Sequence, residues 1–158
     1  MYREELEAAE GFGEIFRLVK RAVEERLGLH RAGLSLALVD LPPIILAQHQ
    51  LGSNLIVMNR GVFEAVRWRA ESRVELNSYI FVVLLHEYLH SLGLVDEATV
   101  RRRVWEVVRW AFGEGHPALL MASKPLNELY PEVFMVRPER ERPIVIRDFD
   151  EESMPYIG

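Results

Sequence analysis

Apolar positions recur at helical spacing through Leu6, Ala9, Ile15, Phe16, Val19, Val23 and Leu27, with Gly28 as a natural stop. The spacing predicts an amphipathic helix over residues 3–27. Gly11 and Gly13 weaken its first half, since each glycine costs about 1 kcal/mol relative to alanine inside a helix. Three short segments rich in branched apolar residues follow, Leu34 to Leu41, Ile44 to Gln50 and Asn54 to Asn59, separated by Pro42-Pro43 and Gly52-Ser53. They read as strands of one small sheet. Gly61 to Arg73 has helical character, and Tyr79 to Leu85 (YIFVVLL) is the most apolar run in the chain. A run without a polar face predicts a helix buried on all sides. Gly93 ends it, and Asp96 is a good N-cap for a further amphipathic helix over 97–112. Beyond Gly113, Pro117, Pro125, Pro131, Pro138 and Pro143 break the pattern into short pieces, with Pro143 to Phe149 as a late strand and 131–158 as an irregular tail. The order of elements predicts a single α+β domain over 1–158, a three-stranded or slightly larger sheet packed on helices.

Composition narrows the chemistry. At 158 residues, half of them hydrophobic, the chain has the size of one domain with a real core. No stretch reaches the roughly 18 to 20 apolar residues that span a bilayer, and the charged start MYREELEAAE is unlike a signal peptide, so a cytoplasmic protein with no membrane partner is expected. A net charge of -5 argues against nucleic acid as a partner, and the run Arg101-Arg102-Arg103 reads as a solvated helix face. Arginine far outnumbers lysine, present only at Lys20 and Lys124, a bias reported for some thermophile families. Without cysteine, any transition metal must be held by His, Asp or Glu. Five histidines are available.

His86 and His90 stand four apart on the apolar helix, so both rings project from one face and can close on one ion. Glu87 lies about 100° further round the same turn, where its carboxylate can reach a water without being a ligand. Zn2+ there would make that water acidic, with Glu87 as general base and then as acid towards a leaving amine. Buried and unpaired, these groups would cost about 1 to 3 kcal/mol each, a cost that an ion removes.

The segment His86 to Asp96 (HEYLHSLGLVD) resembles the zincin metallopeptidases, in the extended HExxHxxGxxD form of the metzincin branch. It is similar to the snapalysins and to small zincin-like domains with HExxHxxGxxDE, which Glu97 completes. The resemblance covers residues 10–110 and implies zinc-dependent hydrolysis of a peptide or protein substrate, with Asp96 as third ligand after a chain reversal at Gly93. His116 is an alternative third ligand from a distant loop, and Glu106 another on the next helix. Leu119 to Ser123 stands where the methionine turn of that branch would fall, with simple core as the plain alternative for Met121. His30 and His49 read as structural or surface residues. The resemblance further implies a substrate bound as an added strand on a sheet edge, for which Asn54 to Asn59 is the best segment unless it is internal. A rival reading is a non-catalytic module that uses the metal structurally or recognises peptides without cutting them. The acidic, aromatic end DFDEESMPYIG is long enough to fold back over a cleft.

Overall fold

A computed structural model describes residues 1–135 and 142–150. The expected first helix is two: α1 (Tyr2–Ala8) and α2 (Phe12–Leu27), broken where Ala9 turns extended and Gly11 becomes the N-cap. Strands β1 (Ser35–Val39), β2 (Ala47–His49) and β3 (Leu55–Asn59) lie inside the three predicted segments. Helix α3 (Arg60–Arg69) stops short of Arg73, because Ser72 caps a new helix by accepting from the Glu75 N–H at 3.1 Å. That helix, α4 (Arg73–Ser91), carries the apolar run and the histidines, and α5 (Glu97–Phe112) follows. The stretch expected to be irregular holds α6 (Pro117–Ser123), α7 (Leu126–Leu129), a 3-10 turn (Pro131–Met135) and β4 (Ile144–Ile146). Its prolines start helices as well as break them: Pro117 occupies the first turn of α6, where its missing N–H costs nothing. Among the described residues the fold is α+β, with seven helices and a four-stranded mixed sheet, and no helix is long and apolar enough to cross a membrane.

The sheet order is β2-β3-β1-β4. β1 and β3 are parallel, and the outer strands are antiparallel to their neighbours. Leu36, Leu38, Ile56 and Met58 are buried on the face turned to the helices, while Gln48, paired with Val57, and Val145, paired with Ala37, are exposed. The segment Asn54 to Asn59, considered for the edge, is internal, and the edge strand on its side of the sheet is β2, with β4 at the other edge. Asn59 sets that edge: its Oδ1 caps α3 through the Val62 N–H, while its Nδ2 donates to the carbonyls of Leu41, Pro42 and Ile45 just before β2.

Helix α4 is the centre of the core, packed by α2, α5, α6 and α1 and crossed at its C-terminal end by β2. From Asn77 to Ser91 every residue is buried except Val82, His86 and His90, which fall on one i, i+4 stripe. The helix predicted to be buried all round is buried except along that stripe.

The described C-terminal segment runs along β1, at the far side of the sheet from β2. Phe149 stacks on Phe16 at 4.2 Å between ring centroids, and the Asp148 carbonyl lies 2.9 Å from where a Cβ on Gly13 would stand. Asp150 pairs with buried Lys20 at 2.7 Å and accepts the Gly33 and Leu34 N–H groups. Of the acidic end considered for folding over the cleft (148–158), residues 148–150 are held here instead, and 151–158 lie outside the described residues. Because a buried cation that loses its partner keeps its desolvation cost, Asp150→Ala should lower stability by about 3 to 5 kcal/mol in urea denaturation. A loss below about 1 kcal/mol would show that Lys20 does not depend on Asp150.

Candidate metal centre

The motif helix ends in a Schellman arrangement. Leu94 N–H donates to the Leu89 carbonyl and Gly93 N–H to that of His90, with Gly93 at φ +99°, a conformation that glycine tolerates best. The reversal turns the Leu94 carbonyl towards His90, which donates to it from Nδ1 at 2.7 Å. A carbonyl can only accept, so Nδ1 carries a proton, which leaves Nε2 facing the cleft as the nitrogen that can donate to a carboxylate or, once it gives up its proton, ligate an ion.

Two residues beyond Leu94 the chain enters α5. Asp96 caps that helix, with Oδ2 accepting from the Thr99 N–H at 3.1 Å and its hydroxyl at 2.7 Å. Those hydrogen bonds, the Thr99 side chain first, hold its carboxyl below the ordinary range. The carboxylate that meets both imidazoles belongs to the next residue. Glu97 Oε1 lies 2.6 Å from His90 Nε2, and Oε2 lies 3.1 Å from His86 Nε2. One ligand atom from each of His86, His90 and Glu97 falls within 4.8 Å of the others, a spacing that one ion could bridge. Burial works to raise the Glu97 carboxyl, but the charges and hydrogen bonds of the two histidines hold it below its ordinary value. Burial, ahead of the surrounding charges, holds the His86 imidazole low. An ionised carboxylate and a neutral imidazole are the states in which each can ligate.

Glu87, one residue past His86, is only 5 % exposed, and its Oε2 is buried without a hydrogen-bond partner. Burial pushes its carboxyl up to about 7, with the nearby charges of His90 and Glu97 as smaller opposing effects. It lines a cleft of about 270 Å³ together with His90, Glu97, Leu94, Val95 and the edge-strand residues Ala47, Gln48 and His49. His49, read from sequence as structural or surface, therefore stands at the cleft. Its Nε2 donates to the Ser53 carbonyl at 2.7 Å, leaving Nδ1 buried and unpartnered. Nothing in the sequence near His49 signals this, because the strand register alone brings it there. Arg31 ties the two walls together: its side chain donates to the Ser91 carbonyl at the end of α4, to Asn54 Oδ1 and to the Ser53 carbonyl.

The other candidates lie elsewhere. His116 is the N-cap of α6, accepting the Ala118 N–H on Nδ1 and stacking on Phe112 at the far end of α5, where burial pushes its pKa down to about 4. Glu106 pairs with Arg26 and Arg103, and His30 lies 3.7 Å from Glu24. Met121 belongs to helix α6 and lines a separate cavity with His116 and Tyr130. Comparison with protein-family models, curated proteins and solved structures finds no match.

The buried Glu87 has a thermodynamic signature. Its folded pKa lies above the unfolded value, so its contribution to stability is full below about 4.5 and is lost as pH rises through about 7. In metal-stripped protein, Glu87→Gln should be more stable than wild type at pH 8 by about 2 to 3 kcal/mol and near parity at pH 4. Parallel stability–pH curves in chemical denaturation would disprove the burial of an ionisable group at this position.

Proposed function

We propose that the chain is a zinc-dependent peptidase in which His86, His90 and Glu97 hold the ion and Glu87 is the general base. What supports this reading most is the convergence of two imidazole Nε2 atoms and a carboxylate beside an unpartnered, buried glutamate oxygen. Two imidazoles and a carboxylate, with a position left open, are a ligand set of catalytic zinc. The donor set fits the ion: all are nitrogen or oxygen, His90 has its tautomer fixed by Leu94, and Glu97 sits between the rings. Zinc bound there would supply Lewis-acid polarisation of a water and of a carbonyl.

The chain's own groups supply the rest. Glu87 takes the proton of the attacking water and returns it to the leaving amine, and an elevated pKa suits a carboxylate to both directions of transfer. The edge of β2 offers unpaired backbone N–H and C=O groups along the cleft, so an extended peptide can add to the sheet there without much demand on its sequence. Glu87 also favours the enzyme over a non-catalytic metal module, since a site that only holds a metal gains nothing from an orphaned carboxylate oxygen next to it.

Separating the roles of the two adjacent carboxylates tests the ligand set. Glu97→Ala, His86→Ala and His90→Ala should each weaken zinc affinity at least tenfold in chelator competition, while His116→Ala leaves it unchanged. Asp96→Ala should cost about 1 kcal/mol of stability through the lost cap and leave zinc affinity within about threefold. If Asp96→Ala loses the metal and Glu97→Ala keeps it, Asp96 is the ligand.

The reaction is tested with Glu87→Gln. That variant should bind zinc stoichiometrically yet lose peptide hydrolysis by at least about a hundredfold, the low end of general-base contributions. An active Glu87→Gln protein, or a zinc-loaded wild type without activity on any member of a broad peptide library, would refute the peptidase reading.

A further inference from the structure

Arg101 follows Glu97 by four residues on α5, the order and spacing in which an exposed Glu–Arg pair normally closes along a helix. Here Glu97 has turned both oxygens to His86 and His90, and Arg101 is exposed with no ion-pair or hydrogen-bond partner among the described residues. Its neighbours differ: Arg102 donates to Thr99, Arg103 to Glu106, and Arg109 lies 3.4 Å from Glu114. The helices place Arg101 further. α5 follows the chain reversal at Gly93 and packs on α4, and Glu97 at its start touches both His90 and His86, so the residue one turn on from Glu97 falls on the His86 side. Across the site, the β2 side of the cleft is lined by Gln48, His49, Leu94 and Val95 with the acidic Glu87 and Glu97, and has no lysine or arginine. The two sides of the site thus differ in charge, with a free guanidinium at the His86 side.

We propose that Arg101 binds a substrate carboxylate on the His86 side of the site, so that the preferred peptides carry a negative group next to the bond to be cut. The proposal rests on the metallopeptidase reading. A guanidinium offers two parallel N–H donors to a carboxylate, which sets position as well as affinity. The carboxylate is either an acidic side chain or a free C-terminus, and the chemistry of recognition is the same for both.

Short peptides with an N-terminal hydroxamate arm as metal-binding group can be made in four forms, with Glu or Gln at the variable position and a C-terminal acid or amide. Calorimetry on the zinc-loaded protein at low salt should show one acid form binding roughly fivefold tighter than its amide counterpart, the size of an exposed bidentate pair. The form that gains identifies the source of the carboxylate. The advantage should shrink at high salt and vanish in Arg101→Gln, whose affinity for the all-amide probe stays that of wild type. Arg101→Lys should restore part of it. In cleavage of matched peptides the same change should appear in KM with kcat little altered. Equal binding of acid and amide forms by wild type, or an advantage that survives Arg101→Gln, overturns the role of Arg101 while leaving the metal site standing. If no hydroxamate binds the zinc-loaded protein, the open metal position is absent and both readings fall.

Discussion

The burial of α4 decides where everything else in this protein goes. A nineteen-residue helix with an apolar middle can be stable in water only if covered on nearly every side, and α2, α5, α6, α1 and β2 are its cover. Packing five elements around one helix leaves a single seam. Val82, His86 and His90 lie on that seam, so the two rings face out of the core where, among the described residues, α4 is left open. Glu87, one residue off the seam, is carried under the rim and loses its water. Position on the helix, rather than any special local geometry, separates the proposed ligands from the proposed base.

Much of this was legible in the sequence because it depends on periodicity. The YIFVVLL run foretold a buried helix, and the four-residue spacing of His86 and His90 placed both on one face. All four strands fall within segments marked by branched apolar residues between prolines and glycines. Contacts between remote segments were less legible. The lateral order of strands put β2 and not β3 at the edge, and with it His49 at the cleft, through pairings that leave no trace in local pattern. The helices after Gly113 were hidden because proline marks a helix start as readily as a break, and Pro117 does the former.

The pair Asp96-Glu97 shows how little separates two readings of a motif. Both carboxylates follow the Gly93 reversal, and sequence spacing suits either for facing the histidines. Helix entry divides them. An N-cap residue has extended backbone, at φ −72° and ψ 121° for Asp96, which directs its short side chain along the helix axis to the free N–H groups of the first turn. The next residue is already helical, and its longer side chain swings sideways to the neighbouring helix, where the rings are. Capping and contact with the histidines are thus divided between adjacent residues, and each carboxylate keeps its hydrogen bonds.

The site is costly to the fold in a way that argues for its use. A glutamate oxygen without a partner inside the core is a group that substitution by glutamine or an apolar residue would relieve. His90 and Glu97 are stabilised by one another and by Leu94, so they need no ion to justify their positions. Glu87 has no such compensation in the described structure, and its cost builds as pH rises from about 4.5 and is full above about 7, where the buried carboxyl ionises. A cation at the Nε2 atoms of His86 and His90 would favour the charged form of Glu87 and offset that cost, which couples metal affinity to the protonation of the base. Binding should then release a proton from Glu87 near neutral pH, so that in the proposed peptidase the same event that adds stability would also ready the base.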